Sequence, residues 1–339
     1  MLENAGKRIR LSASVAAAAT GAAATLLVAL PVSAQTGPGL LLEPFPKEQL
    51  TDTRGGFLAV NGGHVKGTDE SVQLSFVEST GRVRVIPGNL ISPRVGWDLE
   101  YVLVNADGGA LDDALPSELT DHSVGVAFPV AKVGEWIFGV SLGVGYAGGT
   151  PWADGSGWYG KATAVGFRQL REREALVFAI DWDGNRSFLP DVPLPGFAYT
   201  RGVGDTLTFI VGIPLSSVTW KPLPKLSLEA GYFPVESFDA AIGYGFAPHW
   251  SVFGNLEYRS TAFWLDEIGG NDRLIFEQRR AEVGVRYAPL ETQKAVAFTA
   301  AVGYAWGQEF SIGFDSRDTD VIADLSDEPY LRVGLELKF

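Results

Sequence analysis

From about Ser71 onward, apolar residues recur at every second position, and turn residues interrupt the pattern at intervals of roughly ten to twenty residues. The last segment is the clearest. Leu331, Val333, Leu335, Leu337 and Phe339 are apolar, while Tyr330, Arg332, Gly334, Glu336 and Lys338 are polar or small apart from the Tyr ring. Such a strand turns one face to an apolar medium and the other to water. Beyond the N-terminal stretch no run of ~18 uncharged apolar residues occurs, so no helix is predicted to span a bilayer. A closed barrel is the other spanning solution, because in hydrocarbon every backbone N–H and C=O must be paired within the protein. The pattern therefore predicts an all-β fold: a transmembrane antiparallel up-and-down β-barrel in a bacterial outer membrane, in contact with outer-membrane lipid.

A last strand that ends in the periplasm sets the direction of every earlier one. Val296, Phe298, Val302, Tyr304 and Trp306 form an outward face that rises, and Ala281, Val283, Val285 and Tyr287 one that falls. Trp250, Val252, Leu256, Tyr258, Ala262 and Trp264 rise; Phe238, Ala240, Ile242, Tyr244 and Phe246 fall. Leu226, Leu228, Ala230 and Tyr232 rise, Leu207, Phe209, Val211 and Ile213 fall, and Leu176, Phe178, Ile180 and Trp182 rise. Tyr159 to Phe167 falls, Trp136 to Tyr146 rises, Val124 to Val130 falls and Val95 to Leu103 rises. That makes twelve strands from Arg94 to Phe339, an even number, as single-chain bacterial barrels require. Ser71 to Ile86 is a further candidate whose alternation slips near Gly81; with Arg54 to Val60 it would make fourteen. In this frame Lys161 falls on the outward face, where a mid-bilayer charge costs ~2–4 kcal/mol.

The tryptophans sort to two levels. Trp97, Trp136, Trp220 and Trp250 fall at the periplasmic boundary, and Trp182, Trp264 and Trp306 at the outer one, the two interfaces that aromatic rings prefer. The inner turns are short, whereas the outer loops Asn105–His122, Asp183–Gly204 and Gly307–Glu328 are long.

The N-terminus follows a different logic. Lys7, Arg8 and Arg10, an Ala-rich apolar stretch from Leu11 to Leu30, and Pro31-Val32-Ser33-Ala34 read as a secretory signal peptide over residues 1–34, cut after Ala34. Residues 35–70, Pro- and Gly-punctuated at the start, read as a periplasmic lead-in without a plug-like domain, and residues 71–339 as the barrel. Export allows disulfides, yet the chain has no cysteine. The formal charge of −13 becomes −15 once a leader with three basic residues and one acidic residue is removed, which argues against nucleic acid as a partner.

Candidate chemistry is sparse. Gly143-Val144-Gly145-Tyr146-Ala147-Gly148 spells GxGxxG but lies within an alternating strand and not ahead of a helix, so no nucleotide cofactor is expected. Asp121, His122 and Ser123 sit together at an outer loop, but neighbours on a strand point to opposite faces, so no catalytic role is expected. The acidic loops Asn105–His122 and Gly307–Glu328 lack metal-ligand spacing, so no metal is expected. Counting parity from the outward residues puts Arg94, Asp98, Glu100, Asp181, Glu229, Asp239, Glu257, Arg259, Arg280, Glu282 and Arg286 in the lumen. Charges there need water or partners. Two readings follow: a porin-like channel for small hydrophilic solutes with a charged wall, or a sealed structural or surface-interaction barrel working through its acidic loops. Neither is an enzyme.

Short signatures add a resemblance. Val83-Arg84-Val85-Ile86-Pro87-Gly88, Leu115-Pro116, Leu189-Pro190 with Pro195-Gly196, and Gly212-Ile213-Pro214 leading to Trp220-Lys221-Pro222 resemble an uncharacterised bacterial outer-membrane β-barrel family, a domain of unknown function, over roughly residues 70–339. The resemblance implies a barrel and lends no catalytic residue. A terminal strand ending on Phe339 is similar to those by which the barrel-assembly machinery recognises its clients, making that machinery the expected partner.

Overall fold

Alternation makes a sheet amphipathic; closing the sheet needs a first and a last strand that pair. The computed structural model describes residues 36–42, 45, 49–60, 63–86, 88–89, 92–107, 115–152, 155–233, 237–289 and 295–339; the expected signal peptide lies outside the described residues. A helical turn α1 (Pro38–Leu42) precedes β1 (Thr51–Val60), β2 (Gly63–His64), β3 (Ser71–Arg84), β4 (Arg94–Ala106), β5 (Glu118–Val133) and β6 (Trp136–Gly148). Then come β7 (Trp158–Arg171), β8 (Glu174–Asp183), β9 (Leu194–Val203), β10 (Leu207–Ile213), β11 (Ser216–Leu223) and β12 (Leu226–Phe233). β13 (Ser237–Ala247), β14 (Trp250–Phe263), β15 (Arg273–Tyr287), β16 (Ala295–Asp315), β17 (Asp318–Leu325) and β18 (Glu328–Lys338) complete the chain.

Within the ring each strand pairs antiparallel with the next, β1 with β3 and β16 with β18 included, and β1 closes the ring. It pairs with β18 from Asp52↔Lys338 to Val60↔Tyr330 and with β3 from Thr51↔Val83 to Ala59↔Ser75. At the periplasmic end Thr51 and Phe339 exchange backbone bonds of 2.9 and 3.0 Å. β2 pairs with β3 and β17 with the outer part of β16, so these two lie outside the ring.

The closed ring holds sixteen strands, which corrects the twelve predicted from alternation and the alternative of fourteen. The additions are β1, β3, β9 and β11. β9 contains Pro195-Gly196, which reads as loop, and sits where a long outer loop was expected. β11 is rich in Ser and Thr, with Val218 and Trp220 as its outward apolar residues. Counting both strands reverses β10, which rises to an outer turn at Pro214-Leu215; Trp220 stays near the periplasmic end because β11 falls.

One strand carries the opposite parity to that expected. On β7 the inward residues are Tyr159, Lys161, Thr163 and Val165, and the outward ones Gly160, Ala162, Ala164 and Gly166. Lys161 therefore avoids lipid. The lipid face here is small because rings from neighbouring strands cover it: a Cβ on Gly160 would meet the Trp182 ring at 2.8 Å, and one on Gly166 the Phe138 ring at 3.0 Å.

Across the outer part of the barrel the polarity inverts. Inside, Leu58, Val72, Leu74, Phe76, Val102, Leu119, Phe263, Leu274, Phe276 and Phe310 form a dry core. Outside, Gln73 and Asn105 face water. Phe276 anchors this core, with ring centroids 6.0 Å from Phe76 and 4.6 Å from Phe310. β16 makes the switch with a bulge. Arg279 pairs with Trp306 and Glu277 with Glu309, so one extra residue is accommodated near Gly307, whose φ of 55° is left-handed. Below the bulge the even residues Val302 and Tyr304 face lipid; above it the even residue Phe310 faces the core.

Removing the Phe276 ring leaves a cavity that rigid walls cannot collapse. Phe276→Ala is expected to lower the unfolding free energy by about 3–5 kcal/mol in a urea titration of the refolded barrel. The lipid-facing Val283→Ala should cost far less. Equal losses would contradict a dry core here.

Candidate functional site

Beneath the apolar core lies a layer of charge. Arg259, inward on β14, bonds Glu257 at 2.8 Å, Glu78 of β3 at 3.0 Å and Glu100 of β4 at 3.3 Å. Arg280 on β15 reaches Glu78 at 3.1 Å and Glu257 at 2.9 Å. These five side chains form a chord of alternating charge from β3 and β4 to β14 and β15. A buried pair costs its desolvation unless geometry and extra hydrogen bonds restore it, and here each guanidinium serves at least two carboxylates. Closer to the periplasm Glu282 accepts from Arg332, from Asn255 at 2.7 Å and from Tyr330 at 3.2 Å, and Arg286 meets Glu336 at 2.9 Å.

The opposite flank of the lumen holds the chain's own N-terminal segment. Thr36 donates from its backbone N to Asp98 at 3.0 Å and from Oγ1 at 2.7 Å, and Oγ1 lies 2.9 Å from the Ser123 hydroxyl. Lys161 stands 3.4 Å from Thr36 Oγ1 and 3.2 Å from Asp183. From there α1 packs against β4–β7, with Leu40 fully buried. Arg94 donates to the Leu40 carbonyl at 3.1 Å and Arg84 to that of Phe45 at 2.6 Å. Arg82, Arg84 and Arg94 lie 4.7, 4.9 and 5.9 Å from the Phe45 ring. Part of the segment read as a periplasmic lead-in thus lies inside the barrel.

Between chord and segment runs a cavity of about 1440 Å³. It touches the periplasmic turns at Pro224-Lys225 and Ala247-Pro248 and the outer turn at Pro214-Leu215. Over β12 and β13 its wall is mostly small, with Ser227, Ala241, Gly243 and Gly245 pointing inward beside Glu229 and Asp239. β10, β11 and β12 are only 7, 8 and 8 residues long, so the wall is lowest on this side.

Of the eleven residues expected in the lumen, ten line this cavity: Asp98, Glu100, Asp181, Glu229, Asp239, Glu257, Arg259, Arg280, Glu282 and Arg286; Arg94 instead meets the N-terminal segment. Ion pairs bring Glu100, Asp181, Glu257, Arg259, Arg280, Glu282 and Arg286 into networks, and the Thr36 and Thr80 hydroxyls donate to Asp98; Glu229 and Asp239 stand apart. Sequence reasoning missed Glu78, because β3 was outside the twelve-strand wall, and Lys161, because of the parity on β7. Arg332 and Glu336 were within its reach on the polar face of the terminal strand. Asp121 points inward to the Tyr159 hydroxyl (2.5 Å) and Asn185 (3.4 Å), while the His122 ring sits on the outer face 5.4 Å from Trp152. The GxGxxG run lies within β6, where a Cβ on Gly145 would be 2.2 Å from the Tyr159 ring.

At the outer mouth Arg273, fully buried on β15, joins two elements. It donates to the carbonyls of Phe314 at 2.8 Å and Arg186 at 3.1 Å, and Ser316 donates to the Ser187 carbonyl at 2.9 Å. The β8–β9 loop is thereby fastened to the β16–β17 hairpin, which stands above the bilayer. At the hairpin tip the Arg317 hydrogen bonds to Asp315 (3.0 and 3.1 Å) hold that carboxyl below the usual range.

No protein-family model matches the chain, and no curated protein does. Among solved structures it is similar to the COG4313 outer membrane channel from Pseudomonas putida F1, at 11% identity over 87% of this chain and 97% of that one, TM-score 0.37. It is similar to a Pseudomonas aeruginosa FadL homologue at 12% identity over 86% and 89%, TM-score 0.37, and to OmpT of Vibrio cholerae at 11% identity over 87% and 99%, TM-score 0.28. Its closed ring and apolar outward belt are those of a membrane-spanning β-barrel, the arrangement expected for a bacterial outer membrane.

Because folding lowers the pKa of Asp315, the stability it contributes is present above the unfolded carboxyl's range and is lost as pH falls through the lower folded value. Amide exchange across Asp318–Leu325, corrected for intrinsic rate, should rise as pH drops from about 5 to about 3. Asp315→Asn should show the faster exchange already at about pH 5 and lose this pH dependence. A wild-type hairpin with flat exchange over that interval would remove the role given to this pair.

Proposed function

We propose that the protein is a porin-like channel that passes small hydrophilic solutes along the crescent between the ion-paired chord and the β9–β13 wall. The observation that carries this reading is the continuity of the cavity, whose lining reaches turns at both ends of the barrel and sets charged, hydroxyl-bearing and small side chains among apolar ones. Barrel size agrees with it. About eight strands are filled by their own side chains, whereas about sixteen leave an aqueous channel. Here the dry core and the N-terminal segment occupy part of that room, so the passage is narrower than the strand number alone would give.

A second reading, a sealed barrel that acts through its acidic outer loops, draws support from the same dry core, which closes the outer end over β1, β3, β4 and β14–β16. Conductance separates the two. Purified protein in a planar bilayer should give discrete current steps; a folded barrel that stays silent would favour the sealed reading.

The N-terminal segment is the natural constriction. Since the chain has no cysteine, a Thr36→Cys/Ser123→Cys pair, placed where the two hydroxyls now lie 2.9 Å apart, offers a clean lock. Steps should be smaller in the oxidised protein and grow on reduction. Identical steps in both states would show that the segment does not limit the passage.

A further inference from the structure

The cavity is unequal in charge around its circumference, and register defines where. Glu229 faces Ala241 across the β12–β13 pair, and Asp239 faces Gly231, two residues further along the same pair. On its other side Asp239 stands directly opposite Glu257 of β14. Three carboxylates thus follow one another across adjacent strands at mid-wall. Their surroundings differ. Glu257 is held by Arg259 and Arg280, at 2.8 and 2.9 Å. Among the described residues no cation lies within ion-pair distance of Glu229 or Asp239, and the inward neighbours Ser227, Ala241, Gly243 and Asn255 carry no charge. Lys221 and Lys225 belong to the same side but sit exposed at its periplasmic end, where water and salt screen them.

We infer that Glu229 and Asp239 make the passage cation-selective. The carboxylates act on passing ions through their field, and no ion needs to be held. Two uncompensated negative charges on a low-dielectric wall attract a cation and repel an anion, in the way acidic side chains select cations in channels generally. Arg259 of neighbouring β14, across from Ser237, and Arg280 of β15 do not cancel this, because their guanidinium groups are already committed to Glu78, Glu100 and Glu257. The approach from outside has the same sign: Glu309, Asp318, Asp320, Asp324 and Asp327 surround the β16–β17 hairpin, with Lys66 drawn onto Asp324 at 2.7 Å. An acidic vestibule raises the local concentration of cations before they enter. The inference rests on the channel reading and names the charge class of what passes: inorganic or small organic cations in preference to anions.

The test is the zero-current potential of the full protein in a planar bilayer across a potassium chloride gradient. We expect potassium to be favoured over chloride by about tenfold at low salt. The preference should shrink as ionic strength rises and the screening length falls. The double variant Glu229→Gln/Asp239→Asn should retain current steps while the ratio drops towards one. Both positions face the cavity and make no described ion pair, so the barrel should persist, which heat-dependent gel migration checks. Chloride preference in the wild type, or a potassium preference untouched by the double substitution, overturns the inference. A bilayer with no steps at all has no zero-current potential to read. That outcome removes the channel reading itself, and this inference with it.

Discussion

An open strand edge in hydrocarbon leaves a row of N–H and C=O groups without partners, at several kcal/mol each. The pairing of β1 with β18 is therefore the contact on which the rest depends. It joins residues from the two ends of the chain, Asp52 with Lys338 and Val60 with Tyr330, and it fixes the number of strands the ring must contain. Once sixteen are in the ring, the diameter follows, and so does an interior larger than one layer of side chains can fill. What occupies that interior is then a matter of composition at each depth.

Three kinds of matter occupy it. Near the outer end the filling is apolar, and the strands there resemble those of a soluble protein, with Leu74 and Phe76 inside and Gln73 outside. At mid-depth the filling is ionic, a chord of arginines and glutamates that ties β3 and β4 to β14 and β15. Along β4–β7 it is the chain's own N-terminal segment, held through Thr36, Leu40 and Phe45. The bulge at Gly307 shows how one strand serves two of these environments. A continuous period of two would keep Phe310 facing out; one extra residue in a left-handed conformation turns it in.

The same depth dependence explains what the sequence disclosed. Where lipid is outside and charge inside, the alternation is plain: Leu331 to Phe339 and Val283 to Tyr287 can be read directly, and Glu257, Arg259, Arg280 and Glu282 follow from parity. On β3 the period of two never fails. Its polarity reverses between Phe76 and Glu78, both inward, so a reader expecting apolar residues outside sees a slip. On β7 the lipid face is glycine and alanine under neighbouring rings, which no single strand can reveal, and Lys161 was assigned to the wrong side for that reason. β9 and β11 hide behind Pro195-Gly196 and a run of Ser and Thr. Their existence depends on partners on either side, information that lies in the ring and not in the segment. The docking of Thr36 against Asp98 and Ser123 is of the same kind, since its partners lie more than sixty residues away in sequence.

These fillings also divide the labour among the charges. A carboxylate shared by two guanidinium groups is fixed in place and largely neutralised at distance, so it shapes the lumen without strongly biasing what moves through it. An inward carboxylate without a cation beside it keeps its field. In this barrel the first kind gathers where strands far apart around the ring must be held together, at Glu78 and Glu257. The second kind lies on β12 and β13, where each strand meets only its sequential neighbours and no cross-link is needed. The wall that bears no structural tie is the one free to carry unbalanced charge, and it faces the same cavity as the ion-paired chord.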